Sequence, residues 1–204
     1  MTSSKNIFYN VVKLGKKEKK MEEKIWSKTL LTCYDSLEKI ANAIDNLVVT
    51  NCVNSASNGH SILQNANRVI DLMERKKKIV NIKVLIEDVL SFIEPKHTRV
   101  LILKYVDRVK SEDMAKVLNV SLRTLFRKIN RSLELFAEAL IKKGYSPEVL
   151  SLWLENEGWI KELYNALIKK ELGQEIKENA EKNLDVNYLS LAFKSIKAVP
   201  YRAF

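Results

Sequence analysis

Apolar side chains between about Met21 and Leu47 fall at Leu30, Leu37, Ile40, Ala41, Ile44 and Leu47, mostly three or seven positions apart. That rhythm places them on one side of a helix. Asn51 to Ser61 (NCVNSASNGHS) is rich in Asn, Ser and Gly and reads as a loop. From Ile62 to Glu94 there is neither Gly nor Pro, and Val69, Ile70, Met73, Ile79, Ile82, Ile86, Val89, Leu90 and Ile93 fit one long helix or two consecutive ones. Pro95 is expected to end that stretch, because it has no N–H to donate and drives the residue before it out of the helical region. Arg75 to Lys78 (RKKK) interrupts the apolar pattern as a solvated face or a break between helices, with a nucleic-acid contact as the sharper reading. No repeat period and no sustained heptad is evident.

Residues 98–140 also lack Gly and Pro, so their boundaries must be read from caps. Thr98 is expected to cap a helix Arg99–Asp107. Ser111 is expected to cap a short second helix ending near Leu118, with Glu112 and Asp113 in its first turn, where the helix dipole favours anions. Asn119 then occupies a tight turn, being a residue that tolerates the left-handed region. Ser121 caps a third helix running to about Leu140. Met114, Leu118, Val120, Leu125 and Ile129 would point inward, and Ala115 is small where the two helices cross. This is the spacing of a helix-turn-helix, whose second helix enters the major groove.

With Leu125 and Ile129 inward, the helical period turns Arg123 and Arg127 outward, flanked by Thr124, Asn130 and Arg131. Arg donates a fork to guanine O6 and N7, and Asn pairs with adenine N6 and N7. Leu122 and Phe126 are expected nearer the inward face, with a thymine methyl within reach if the helix enters by its N-terminus. Lys110, Ser121, Thr124 and Arg131 are placed for phosphate. Further on, Gly144 stands where a helix would end, and Ser146-Pro147-Glu148 read as an N-cap, a first-turn proline and a first-turn acid. Val149, Leu150, Leu152, Trp153 and Leu154, then Trp159, Leu163, Leu167 and Ile168, suggest two more helices. A charged stretch Glu171–Lys182 and a final helix over Tyr188–Val199 complete the expectation.

Composition narrows the fold. The 204 residues include only 5 Gly and 3 Pro, where average usage would supply roughly 14 and 10. Multi-stranded folds need those residues at turns, so the expectation is an all-α protein. Cys33 and Cys52 cannot build a disulfide framework and read as small core residues in a reduced, cytoplasmic setting. No run of about 20 apolar residues suggests a membrane span, and the first residues lack the apolar core of a signal peptide.

The net charge of +10 is not spread evenly. Residues 1–28 carry +5, residues 29–98 are neutral, residues 99–131 carry nine basic and three acidic side chains for +6, and residues 132–204 carry −1. A basic block coinciding with a groove-reading helix points to a polyanion partner. The lysines from Lys13 to Lys20 read as a flexible basic arm over residues 1–20. That leaves an N-terminal helical region over 21–95, the helix-turn-helix over 96–143 and a C-terminal helical region over 144–204.

The run TRVLILKYVDRVKSEDMAKVLNVSLRTLFRKINRSLELF resembles region 4 of bacterial RNA polymerase sigma factors, which bind the −35 promoter element, and the related unit of phage late-gene activators of the ArpU and RinA kind. The likeness covers about 40 of the 204 residues, in three pieces: RVLILKY, SEDMAKVL and SLRTLFRKINRSL. It implies base contacts from Leu122, Arg123, Phe126 and Arg127, with Arg131 on the backbone. The chain departs from that pattern at two turns. Asp107-Arg108-Val109 stands where a glycine is common, and Asn119 stands where Gly is frequent. Nothing resembles sigma region 2, so the chain is not expected to open a promoter alone.

No Gly-rich phosphate loop, GxSxG turn or clustered Ser/His/Asp set appears, and His60 and His97 have no ligand-like spacing to either cysteine. An enzyme, a cofactor and a metal are therefore not expected. Trp26, Trp153 and Trp159 read as packing anchors. The reading is a sequence-specific DNA-binding transcriptional regulator or sigma-like factor that reads a promoter element in double-stranded DNA. RNA polymerase or a second copy of the chain is the further partner expected for its flanking helices. The alternative is a helical adaptor for RNA polymerase or a sigma factor, or one half of a split sigma factor.

Overall fold

The computed structural model describes residues 3–54 and 62–171. Seven α-helices follow in order: α1 (Ser3–Asn54), α2 (Ile62–Ser91), α3 (Pro95–Leu101), α4 (Ser111–Val117), α5 (Leu122–Lys142), α6 (Pro147–Trp153) and α7 (Gly158–Glu171). A π-helical turn, Ile102–Val106, extends α3. No strand occurs among the described residues, and the fold is all-α. None of these helices is long and apolar enough to cross a membrane. His60, the end of the loop read at 51–61, the charged stretch beyond Glu171 and the helix expected over 188–199 lie outside the described residues.

α1 is 52 residues long and its backbone runs back through the lysine-rich segment read as an arm. Lys and Glu are good helix formers, and Gly15 is the one weak position in that segment. α1 and α2 lie antiparallel: Tyr34 donates to Glu87 at 2.7 Å, Lys83 reaches Glu38 at 2.8 Å and Lys76 reaches Asp45 at 2.6 Å. Between them Leu30, Leu37, Ile40 and Ile44 bury against Leu72, Ile79, Ile82 and Ile86. α2 is thus one unbroken helix. Its RKKK segment is neither a break nor a uniformly solvated face, since Lys76 turns to α1 and Arg75 turns to Glu157 just before α7.

Several local expectations are corrected. α2 stops at Ser91, and Pro95 opens α3 at its first position instead of closing α2. Proline suits that position because its missing N–H would have had no partner there. Thr98 is consequently inside α3, where its hydroxyl donates to the Leu90 carbonyl in the last turn of α2 at 2.9 Å and does not cap its own helix. At α4 the N-cap is Lys110, with Ser111 one position inside and no side-chain cap bond. Cys33 is buried and donates to the Leu30 carbonyl, and burial pushes its thiol up to about 12. Cys52, expected in the core, is exposed.

Other signals are matched closely. Ser121 and Ser146 accept from Thr124 N and Val149 N and cap α5 and α6. Gly144 has φ +88 at the end of α5, with its N–H on Ile141 O and the Tyr145 N–H on Leu140 O. That double closure is the Schellman arrangement, which needs a left-handed residue there. Trp26 and Trp159 are buried, Trp153 is half-buried, and Trp26 stacks on Tyr164 with ring centroids 4.3 Å apart. Buried residues of all seven helices form one cluster, so the described parts of the regions read at 21–95, 96–143 and 144–204 share a core.

Candidate nucleic-acid interface

Residues 107–130 place the candidate side chains, and two backbone corners set their geometry. Arg108 and Asn119 have φ +54 and +49 and are the only non-glycine residues with positive φ among the described residues. They stand at the two turns where glycine is frequent in the sigma region 4 pattern that the sequence resembles. An L-residue in that region costs about 1–2 kcal/mol, less for Asn. At the second corner the Val120 N–H bonds Ala115 O at 2.9 Å and Asn119 N–H bonds Lys116 O, closing the end of α4 before α5 begins. Asn119→Gly is expected to leave stability nearly unchanged and Asn119→Ala to cost about 1 kcal/mol, as chemical denaturation would measure.

α4 lies across α5 through Met114 and Ala115, both buried, with Leu118 and Val120 packed at the edge of the core. The inward side of α5 holds Leu125, Ile129, Leu133, Phe136 and Leu140. α3 braces the same helix from behind: His97 Nδ1 and Ser132 Oγ are 2.9 Å apart. Burial, reinforced by Lys96, pushes the His97 pKa below its ordinary value, although Glu94 opposes this.

On the opposite side Arg123, Arg127, Lys128 and Asn130 are exposed. Among the described residues no acceptor pairs with Arg123 or Arg127. Leu122 and Phe126 are 43% and 51% exposed, not turned inward as their spacing suggested. Leu122 opens the helix, where no preceding turn shields it, and Phe126 lies one turn further along the same edge. The outward side of α5 is therefore cationic in the middle and apolar along one edge.

The residues assigned to phosphate are more engaged. The Ser121 hydroxyl accepts from Thr124 N at 3.2 Å and lies 2.9 Å from the Thr124 hydroxyl. Ser121→Ala is expected to destabilise the protein by about 1 kcal/mol, read from a thermal or urea transition. Arg131 reaches Glu134 at 3.5 Å and Glu138 at 3.8 Å. Lys110 is exposed at the start of α4.

Glu134 is also approached from α1, by Lys24 at 2.9 Å and Lys20 at 3.4 Å. The hydrogen bond from Lys24 is the main reason its carboxyl titrates below the usual range, with burial opposing and Lys20 helping. Sequence reasoning did not find this cluster. Arg131 and Glu134 are neighbours on α5, but Lys20 and Lys24 stand on α1 more than 100 positions earlier, and only the packing of α1 on α5 brings the two pairs together. A family-model scan and searches of curated proteins and of solved structures return no match for this chain. Among the described residues no group of three or more His, Cys, Asp or Glu could hold a metal ion.

Proposed function

We propose that this protein is a DNA-binding transcriptional regulator or sigma-like factor whose α4 and α5 form a helix-turn-helix, with α5 reading the major groove. The observation that carries the reading is the division of α5. One side is locked into the core by Leu125, Ile129, Leu133 and Phe136, and the other presents Arg123, Arg127 and Asn130 to solvent. A rigidly held helix bearing exposed guanidiniums and an amide has the donors that recognise guanine and adenine edges. The resemblance of residues 98–136 to sigma region 4 supports the same assignment, as does the charge of +6 over residues 99–131. RNA polymerase is the partner that the resemblance adds.

Binding to random duplex over a salt series tests the class of partner. A protein neutralising six or more phosphates loses roughly a thousandfold or more in affinity between 50 and 200 mM salt. A flat salt response would favour the adaptor reading, for which exposed Leu122 and Phe126 beside the arginines offer a mixed apolar and cationic surface. Selection from a random duplex pool then gives the site: a palindrome implies two copies, a single hexamer implies a polymerase partner.

Glu134 sets a second expectation. It neutralises part of the cationic surface by holding Lys20, Lys24 and Arg131. Glu134→Gln is expected to raise affinity for all duplexes alike and to steepen the salt slope by about one unit. Unchanged binding would place this cluster outside the DNA footprint.

A further inference from the structure

α2 has two apolar sides, of which the fold uses one. Leu72, Ile79, Ile82, Ile86 and Val89 are buried. Leu63, Ile70, Met73, Val80 and Val84 are 40 to 65% exposed. Together with exposed Ala66 and Lys77, the outward set falls at alternating spacings of three and four from 63 to 84. That is the a and d rhythm of a two-stranded coiled coil. The inward residues overlie it in the sequence, which is why no heptad shows when all apolar positions of α2 are read together. A helix that is apolar on both sides normally buries both.

We propose that this outer side of α2 packs against the same side of a second copy of the chain, as a parallel coiled-coil pair about a two-fold axis. Three observations select that occupant. The stripe spans 21 residue steps, a length of about 32 Å at 1.5 Å per residue, long enough for three heptads. Lys77 lies two-thirds of the way along it in an a position, where a polar residue sets register and favours a defined pair over larger bundles.

The flanks also avoid like-charge pairs in only one orientation. One flank carries Asn67, Glu74, Asn81 and Asp88; the other carries Val69, Lys76 and Lys83. A parallel pair sets Lys83 against Asp88 of the second copy and Lys76 against Asn81 of the second copy. An antiparallel pair centred on the stripe sets Lys76 against Lys76 and Glu74 against Glu74, like charges that disfavour it. Lys83 and Asp88 already bond Glu38 and Lys143 within their own chain, so the new contacts extend existing networks. This inference does not depend on the DNA reading.

Sedimentation equilibrium of the full chain at micromolar concentration is expected to give twice the chain mass. Ile70→Glu with Val84→Glu should return the monomer mass with an unchanged circular dichroism spectrum, because both positions are exposed in the single chain. For orientation, Val80→Cys in a Cys52→Ser background should cross-link copy to copy under mild oxidation. A parallel pair brings the two d positions together, whereas an antiparallel pair sets residue 80 opposite Ile70. A monomeric wild-type chain overturns the proposal, whether residues 172–204 or another helix take the stripe. A dimer that survives the double glutamate variant overturns the surface, and a dimer without the cross-link overturns the orientation.

Discussion

Replacing Arg123 and Arg127 together by alanine is expected to abolish discrimination between the selected DNA site and random duplex while leaving the protein folded. Each bidentate arginine contact to guanine contributes about 1–3 kcal/mol of discrimination. If both read bases, the pair supplies roughly 2–6 kcal/mol, or about 30-fold to 20,000-fold in relative affinity. Both side chains are exposed, and among the described residues neither is tied into the core, so the stability cost should stay within about 0.5 kcal/mol. Arg131→Ala is the internal control. A residue on the backbone weakens all sequences alike and lowers the salt slope by about one unit. Competition binding with specific and random duplexes separates the patterns. Retention of full specificity in the double variant would show that α5 does not read bases.

The largest expected effect on stability lies elsewhere, at the ion pair between α2 and the start of α7. Arg75 donates from Nε and a terminal nitrogen to the two carboxylate oxygens of Glu157, at 3.2 and 2.9 Å. The Trp159 indole N–H donates to the same carboxylate at 2.9 Å. The Glu157 side chain is only 2% exposed and that of Arg75 13%. Arg75→Met removes the cation and leaves a buried carboxylate with one neutral donor. Breaking a buried pair from one side costs about 3–5 kcal/mol. Adding Glu157→Gln removes the stranded charge but keeps an acceptor for Trp159, so the double variant should recover most of that loss. Urea denaturation of the two variants beside wild type measures both numbers. A single-variant loss under about 1 kcal/mol would mean that water reaches Glu157 once Arg75 is gone.

How much of this was legible in the sequence varied with the kind of signal. Local rules worked where the deciding partner is within a few residues. The Ser121 and Ser146 caps, Asn119 at its corner and the Gly144 terminus follow from bonds closed inside one turn. The same logic failed at Thr98, whose hydroxyl goes to Leu90 on the preceding helix. It also failed at Pro95, because a proline that cannot continue one helix is equally suited to start the next. In the candidate interface, the outward setting of Arg123 and Arg127 was predicted from the period of α5. The exposure of Leu122 and Phe126 was not, since spacing gives an angle around the helix but not where neighbouring helices stop covering it.

The sequence by itself determined an all-α chain, a short helix and a long one joined at Asn119, and a cationic side on the second. Periodicity, capping and charge are carried by residues close together in the chain. Only the tertiary structure decided that RKKK belongs to one continuous helix with Arg75 bound to Glu157, that Glu134 gathers Lys20, Lys24 and Arg131, and that the apolar residues of α2 divide into a buried and an exposed side. Each of these depends on which surfaces two distant helices bury against each other. Amphipathic periodicity does not encode that choice when a helix is apolar on both sides.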